Sequence, residues 1–208
     1  MQITTISDTH GKHAQLNLPP GDMLLHAGDI SGRGNRVEVE DFLKWFAAQD
    51  YKYRIFIAGN HDFFFERNSA ADIASIIPDN IIYLNDSGVE IEGLKIWGSP
   101  VSPWFYDWAF NRQRGAEIRA HWDLIPDDTD ILITHGPAYE ILDLTTGMVR
   151  AGCEDLLNRI KEVKPKIHLS GHIHEGYGQV EKFGTHFINA SVLNIRYEMV
   201  NAPIIVNL

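Results

Sequence analysis

Short runs of β-branched and aliphatic residues recur along this chain of 208 residues, and most of them run directly into a polar cluster. Each run is bounded by Gly, Asp or Asn, a pattern that favours short strands separated by turns. The strands predicted in this way cover residues 1–7, 22–27, 54–58, 81–84, 94–97, 130–134 and 166–170. No run approaches the roughly 18 apolar residues of a membrane span, so no membrane contact is expected.

Helical patterns lie between several of these strands. Apolar residues repeat at the spacing of one helix face in two segments, at Val39, Phe42, Leu43 and Phe46 and again at Leu156, Leu157, Ile160 and Val163. A third helix is predicted over 69–77, before Pro78. Segments 89–97 and 179–189 each predict two antiparallel strands around a turn that contains glycine. The sequence therefore predicts a layered α/β fold with mixed sheets, formed as a single domain over residues 1–208.

Five of the predicted strands end in chemically reactive side chains. In chain order the clusters are Asp8-Thr9-His10, Gly28-Asp29, Gly59-Asn60-His61-Asp62, His135-Gly136 and Gly171-His172-Ile173-His174. Ligands of open α/β sheets bind beyond the carboxyl ends of the strands, so we expect these clusters to converge. Carboxylate, imidazole and amide groups without thiolates suit a catalytic site for Mn, Fe or Zn rather than a structural zinc site.

In this order, the five clusters resemble the signature blocks of the calcineurin-like metallophosphoesterase superfamily. The segments 102–111 (SPWFYDWAFN), 134–137 (THGP) and 171–178 (GHIHEGYG) are similar to the branch of metallophosphoesterase-domain-containing proteins of the fetal-brain type. The resemblance implies an α/β fold that is a four-layer αββα sandwich with two mixed β-sheets. It also implies two divalent metal ions, bridged by Asp29, with the remaining ligands drawn from Asp8, His10 and His174 for one ion and from Asn60, His135 and His172 for the other.

The same resemblance implies a mechanism. Two metal ions can share a water, lower its pKa and clamp the phosphoryl oxygens while hydroxide attacks in line. Asp29 and Asn60 then act in catalysis as ligands, and His61, which is assigned to no metal, is the candidate general acid for the leaving group. Asp62 either orients His61 or only caps the turn. The Gly28-Asp29 cluster lacks the second Asp of the GDxxDRG pattern of protein Ser/Thr phosphatases, which disfavours that activity, and Arg33 is a minor candidate for a phosphate contact.

Residues outside the five clusters have simpler interpretations. A structural role is predicted for the other histidines, His13, His26, His121, His168 and His186. The aromatic residues of segment 104–110 are predicted mainly to pack in the core or at a subunit interface, with one or two rings at the rim of a pocket. The loop 145–152 either closes over substrate or only connects, and Arg150 within it is predicted to be solvated. Cys153 is interpreted as a packing residue, because the acidic residues that follow it disfavour a thiolate.

Composition and charge narrow the function further. The 18 Lys and Arg against 28 Asp and Glu give a net charge of −10, so no nucleic acid polymer is expected as a partner. We expect a phosphodiesterase of small-molecule phosphodiesters, with cyclic nucleotides as the leading class implied by the resemblance. A phosphomonoesterase with the same site, a non-catalytic metal-binding scaffold and a DNA-repair nuclease are the alternatives, in decreasing order. The first residues lack a signal-peptide pattern, so we expect a cytoplasmic location. A monomer or homodimer is expected.

Overall fold

A computed structural model describes residues 1–208 of the chain. The α-helices and strands, in chain order, are β1 (Gln2–Ile6), β2 (Met23–His26), α1 (Arg36–Ala47), β3 (Tyr53–Ile57), α2 (Phe63–Arg67), α3 (Ala70–Ala74), β4 (Ile82–Leu84), β5 (Ser87–Ile91), β6 (Leu94–Ser99), β7 (Ser102–Pro103), β8 (Asn111–Arg112), α4 (Ala116–Trp122), β9 (Ile131–Thr134), α5 (Glu154–Val163), β10 (Ile167–Ser170), β11 (Gly178–Lys182), β12 (Thr185–Asn189) and β13 (Ile204–Asn207). None of the helices has the length and apolar character needed to span a bilayer.

The strands form two large mixed sheets. The first has the order β13-β1-β2-β3-β4, in which β1 to β4 are parallel and β13 pairs antiparallel with β1. The second has the order β11-β12-β10-β9-β6-β5, in which the four inner strands are parallel and both edge strands are antiparallel. The two predicted hairpins, over 89–97 and 179–189, are the pairs β5–β6 and β11–β12 at the opposite edges of this second sheet.

Side chains that alternate along the central strands separate three apolar layers. In β3, Ile55 lies in the cluster between the two sheets, whereas the next residue, Phe56, packs against Phe42 of α1. In β9, Ile131 lies in the same inter-sheet cluster, whereas Leu132 packs with residues of α4 and α5. Successive side chains of a strand point to opposite faces, so each sheet buries one face on the other sheet and one face on helices. The expected four-layer αββα sandwich is therefore confirmed.

The helices follow local sequence signals where these are strong. Helix α1 begins after Asn35, whose side chain accepts a hydrogen bond from the backbone N–H of Glu38 at 3.1 Å and so caps the first turn. The helix predicted over 69–77 covers only Ala70–Ala74, and it is followed by a turn in which the backbone N–H of Ile76 donates to the carbonyl of Ile73 at 3.2 Å. The sequence did not predict α2 or α4, since helices of five and seven residues complete fewer than two turns and show no clear apolar repeat, and it did not predict β13.

The carboxyl ends of the central parallel strands of both sheets lie at one edge of the sandwich. The candidate ligands that follow directly after these ends are Asp8, Asp29, Asn60, His135 and His172. The sheets are joined at this edge, because Ser7 at the end of β1 forms a bridge with Ser191, which follows β12. The backbone N–H of Val192 also donates to the carbonyl of Ser7 at 3.0 Å.

Candidate metal centre

The clusters that follow the strands converge, as the topology predicts. Three groups of potential ligand atoms each lie within 4.8 Å of one another, and they are Asp8, His10 and His174; His10, Asp29 and His61; and Asp29, His135 and His172. The Oδ2 atom of Asp29 lies 3.5 Å from Nε2 of His10 and 3.4 Å from Nε2 of His135. The Oδ1 atom of Asn60 lies 2.8 Å from Nε2 of His135. All seven expected ligands are thus together, with Asp29 between the two expected metal positions.

Backbone carbonyls orient three of the imidazole rings. The Nδ1 atoms concerned belong to His61, His135 and His174, and they lie 2.9 Å from the carbonyl oxygens of Gly32, Ala27 and Asn194 respectively. A carbonyl oxygen only accepts hydrogen bonds, so Nδ1 carries a proton in each ring and Nε2 is left to face the cluster. Histidine ligands of metal ions are commonly held in this way by a second hydrogen bond.

The ring of His10 indicates that the residues fit a metal ion. His10 is buried, and neither of its ring nitrogens has a hydrogen-bond partner. A buried polar group without a partner is unfavourable, so an electron-pair acceptor at this position would stabilise the folded chain. Next to it lie the carboxylates of Asp8 and Asp29, which are 0% and 2% exposed. Buried imidazole and carboxylate donors together fit divalent Mn, Fe or Zn.

Opposite charges compensate each other within the cluster. Burial alone would raise the pKa values of Asp8 and Asp29, but the neighbouring histidines, mainly His174 and His135, bring both below the ordinary value. Burial alone would lower the pKa values of these two histidines, but Asp8 and Asp29 raise both to about 9. The carboxylates therefore stay ionised and hold protons on the imidazoles, and a metal cation would replace these protons when it binds.

The backbone of the cluster is strained. Four of the expected ligands have positive φ angles, namely Asp8 (55°), His10 (42°), Asp29 (56°) and His172 (68°). The left-handed conformation costs a residue with a Cβ on the order of 1–2 kcal/mol, so the surrounding hydrogen bonds and packing have to maintain it. Glycines make this packing possible, since a Cβ on Gly59 would lie 2.3 Å from Oδ1 of Asp29 and one on Gly171 would lie 2.2 Å from Oδ2 of Asp8.

A cavity of about 490 Å³ opens over the cluster. Trp104, Phe105 and Trp108 line it, whereas only one or two rings of segment 104–110 were expected at the rim of a pocket. Phe110 does pack in the core and is 5% exposed. The segment leaves β7, crosses the mouth of the site and returns through β8, and this path is an outcome of tertiary structure. Tyr106 points away from the core and is 76% exposed.

Asp62 caps the turn and does not orient His61. Its carboxylate accepts hydrogen bonds from the backbone N–H groups of Gly59 (2.8 Å), Ile30 (3.1 Å) and Ser31 (3.0 Å) and from the Ser31 hydroxyl (2.6 Å). These bonds join the segments after β2 and β3, which carry Asp29 and Asn60. Asp62 thus supports the ligand-bearing turns from behind.

The cavity is lined by two arginines, and neither is Arg33, the candidate for a phosphate contact in the sequence analysis. Arg33 is exposed and does not line the cavity, whereas Arg114 and Arg150 do. Arg150 is exposed, as predicted for a solvated charge, and its guanidinium also pairs with the buried carboxylate of Asp143 at 2.7 Å. Arg114 donates to the carbonyl oxygens of the 145–152 loop, at 2.7 Å and 3.0 Å. That loop contributes to the lining and does not merely connect.

Two further residues of the site were missed. The Ser191 hydroxyl donates to Oδ2 of Asp8 at 2.7 Å, and Ser191 follows the end of β12, so the strand-end argument applied once more would have found it. Tyr197 lines the cavity with its ring 4.9 Å from that of His10, but it lies in an irregular segment that carries no sequence signal.

The histidines predicted to be structural all lie outside the three ligand groups, and they are His13, His26, His121, His168 and His186. Cys153 is buried in the apolar layer next to α5, and burial raises the pKa of its thiol.

Comparison with known proteins agrees with this architecture. Residues 1–176 match the family model described as calcineurin-like phosphoesterase. Human "Metallophosphoesterase domain-containing protein 1" is 41% identical over the whole of this chain and 71% of its own length. Two solved structures share the fold. TT1561 of Thermus thermophilus has a TM-score of 0.65 and 16% identity, over 90% of this chain and 88% of that one. Phosphopantetheinyl hydrolase from Mycobacterium tuberculosis has a TM-score of 0.63 and 14% identity, over 94% of this chain and 90% of that one. The chain therefore belongs to the calcineurin-like phosphoesterase family, a family of hydrolases that act on phosphoric esters.

Proposed function

We propose that this chain is a phosphodiesterase that depends on two divalent metal ions and hydrolyses small phosphodiesters, with cyclic nucleotides as the leading substrate class. The observation that carries the proposal is the position of Asp29, whose Oδ2 atom lies 3.5 Å and 3.4 Å from the Nε2 atoms of two histidines in separate ligand groups. A carboxylate in that position can bridge two cations. Manganese, iron and zinc all suit the donor set.

The ligands of the two ions divide around Asp29. One ion would be held by Asp8, His10, Asp29 and His174, and the other by Asp29, Asn60, His135 and His172. When bound, two such ions supply Lewis acidity that activates a water and neutralises charge on the phosphoryl oxygens. The ionised carboxylates and the carbonyl-held imidazoles keep this donor set in place before substrate arrives.

His61 provides the proton that the leaving oxygen needs. Its Nδ1 donates to the carbonyl of Gly32, so Nε2 is the nitrogen available for proton transfer. Its backbone N–H donates to Oδ1 of Asp29 at 2.8 Å, and its ring lies 4.6 Å from the ring of His10. The imidazole is therefore tied to the metal ligands and lines the same cavity. General acids in such positions typically contribute about 10²- to 10⁴-fold to turnover.

The cavity supports a diester more than a monoester. Its volume of about 490 Å³ and the rings of Trp104, Phe105 and Trp108 provide room and apolar surface for a second ester arm. Planar bases stack on such rings, which favours nucleotide diesters over simple alkyl ones. One observation favours the runner-up, a phosphomonoesterase: two arginines, Arg114 and Arg150, line the cavity and suit the additional negative charge of a monoester.

The test compares hydrolysis of bis(p-nitrophenyl) phosphate with that of p-nitrophenyl phosphate. Metal-stripped protein is reloaded with Mn²⁺, and His61→Ala is assayed beside the matched control His186→Ala, which changes a histidine of β12 outside the site. We expect faster diester cleavage that requires metal, and no change in His186→Ala. His61→Ala retains metal, and its loss of about 10²- to 10⁴-fold is expected with a less activated diester such as methyl phenyl phosphate, because p-nitrophenolate leaves without a proton.

Each other outcome has a defined meaning. Faster cleavage of the monoester would replace the proposal with the runner-up. Absence of metal-dependent turnover with either compound would contradict both and leave a metal-binding scaffold. If diester cleavage is observed, a panel of cyclic nucleotides tests the substrate class, and a preference for simple aryl diesters over every cyclic nucleotide would contradict that part.

A further inference from the structure

Trp108 lies face to face with the ring of His61. The ring centroids are 4.4 Å apart, and the planes differ by 29°. This is the closest approach that any aromatic ring makes to His61, because the other neighbour, His10, meets it edge-on at 4.6 Å. One face of the imidazole is therefore covered by the indole.

The indole is itself fixed from several sides. Phe105 and Phe63 lie nearly parallel to it, at 6.4 Å with planes 21° apart and at 6.1 Å with planes 27° apart. The next residue along the chain, Ala109, donates its backbone N–H to the carbonyl of Asn60 at 3.1 Å. Because Asn60 directly precedes His61, this bond connects the aromatic segment to the turn that carries the imidazole. Trp108 is therefore held by neighbouring rings and by a backbone bond to the turn that carries His61.

We propose that Trp108 is a positioning residue for His61, whose indole holds the imidazole in the single orientation that presents Nε2 to the leaving oxygen. Two other contacts leave this task incomplete. The hydrogen bond to Gly32 fixes the tautomer and anchors one edge of the ring at Nδ1, and the one from the backbone of His61 to Asp29 fixes the main chain. Neither prevents the ring from tilting about the Nδ1 anchor, which the stacked indole does. The inference rests on the proposed role of His61 as the general acid.

The competing explanation is that Trp108 is only a wall of the cavity that contacts substrate. The two roles differ in their dependence on the leaving group. A wall contributes equally whichever leaving group departs, whereas a residue that acts through the general acid matters most when the leaving oxygen needs a proton. An activated leaving group such as p-nitrophenolate departs without one, so it hides the loss of a general acid.

The experiment uses two diesters with the same phosphoryl centre, methyl p-nitrophenyl phosphate and methyl phenyl phosphate. The variants are Trp108→Leu, Trp108→Phe, His61→Ala and the Trp108→Leu/His61→Ala double variant, each loaded with Mn²⁺. Trp104→Leu is the matched control, since Trp104 lines the same cavity but does not stack on His61. Loss of one stacked ring pair corresponds to about 2- to 13-fold in rate, so we expect Trp108→Leu to lower kcat for the phenyl ester by about this factor more than for the nitrophenyl ester.

Three further results are expected. Trp108→Phe restores most of the lost rate because it restores the flat face, and Trp108→Leu adds little to the loss already present in His61→Ala. The control Trp104→Leu affects both esters equally. The proposal would be overturned if Trp108→Leu lost the same factor with both esters and if the losses of the two single variants multiplied in the double variant. Trp108 would then be only a wall of the cavity.

A spectroscopic measurement separates this inference from the proposed function. In the metal-free protein, ¹³C NMR relaxation of the Cε1–H bond of His61 reports how far the imidazole ring moves. We expect a restricted ring in the native chain and larger ring motion in Trp108→Leu, with Nδ1 protonated in both because the hydrogen bond to Gly32 remains. Unchanged ring motion in Trp108→Leu would refute the positioning role, whether or not the protein hydrolyses any ester. If the wild type hydrolyses neither ester while the NMR result holds, the proposed function fails and the contact stands.

Discussion

Replacing Ser191 with alanine removes one hydrogen bond from the proposed metal ligand Asp8 and leaves the rest of the site unchanged. The Ser191 hydroxyl donates to Oδ2 of Asp8 at 2.7 Å, and both residues are 0% exposed. Asp8 keeps its other donor, the backbone N–H of His172, at 3.0 Å and 3.1 Å from the two carboxylate oxygens. The carboxylate therefore remains ionised and paired, but it loses the contact that fixes its rotation.

The magnitude follows from the charge of the acceptor. Hydrogen bonds to charged groups contribute about 1.5–3 kcal/mol, and the remaining donor to Asp8 places Ser191→Ala near the lower value. In metal sites, loss of a residue that orients a ligand typically weakens affinity by about 10- to 100-fold, which is roughly 1.4–2.7 kcal/mol. The two estimates agree, so we expect Ser191→Ala to weaken Mn²⁺ binding by about tenfold.

The assay is competition for Mn²⁺ with a fluorescent chelator, together with urea unfolding of the metal-free protein. Ser170→Ala is the matched control, because Ser170 is also buried at a strand end but donates to the neutral carbonyl of Ile188 at 3.3 Å. Manganese affinity within twofold of wild type in Ser191→Ala, or an equal loss in Ser170→Ala, would refute the argument that Asp8 is a ligand oriented by Ser191.

Two other changes test the packing and the charge balance. In Gly59→Ala the new Cβ would lie 2.3 Å from Oδ1 of Asp29, so we expect destabilisation of about 1–3 kcal/mol and loss of measurable metal binding by calorimetry. In the control Gly147→Ala the new Cβ would meet only Oγ1 of Thr145, at an ordinary 3.7 Å, so we expect both to stay unchanged. Burial lowers the pKa of His168 to about 3, so the unfolded chain binds a proton there below about pH 6.5 and the folded chain does not. The contribution of His168 to the free energy of unfolding is therefore fully present above about pH 6.5 and is lost as the pH falls toward 3. In urea unfolding between pH 7 and pH 5, we expect wild type to lose about 2 kcal/mol more than His168→Gln. Equal losses in the two proteins would contradict this assignment.

Much of the candidate site could be predicted because it follows the ends of strands. The residues after β1, β2, β3, β9 and β10 directly follow short runs of aliphatic and β-branched residues, and such runs can be recognised as strands in the sequence. The aromatic segment 104–110 could not be predicted in the same way. Whether Trp108 packs inward or covers His61 depends on the path of irregular backbone between β7 and β8, and no local pattern encodes that path.

Asp62 and the arginines illustrate the same difference. The identity of Asp62 left two roles open, and only the positions of the Ile30 and Ser31 N–H groups, 32 and 31 residues away in sequence, decide that it joins two turns. Arg114 carries no motif and lines the cavity only because the 145–152 loop presents carbonyl oxygens to its guanidinium. Contacts between distant segments of irregular backbone therefore assign these roles.

The alternation of strands, helices and polar turns in the chain is sufficient to predict a layered α/β fold and polar clusters that converge at strand ends, because side-chain direction in a strand and the position of strand ends are local properties. The four layers and the division of the ligands between two ions are implied by the family resemblance. The shape of the cavity, the orientation of His61 and the support of Asp8 by Ser191 arise only when the chain folds. They depend on hydrogen bonds and ring contacts between segments that lie up to 183 residues apart, and no local preference specifies such contacts.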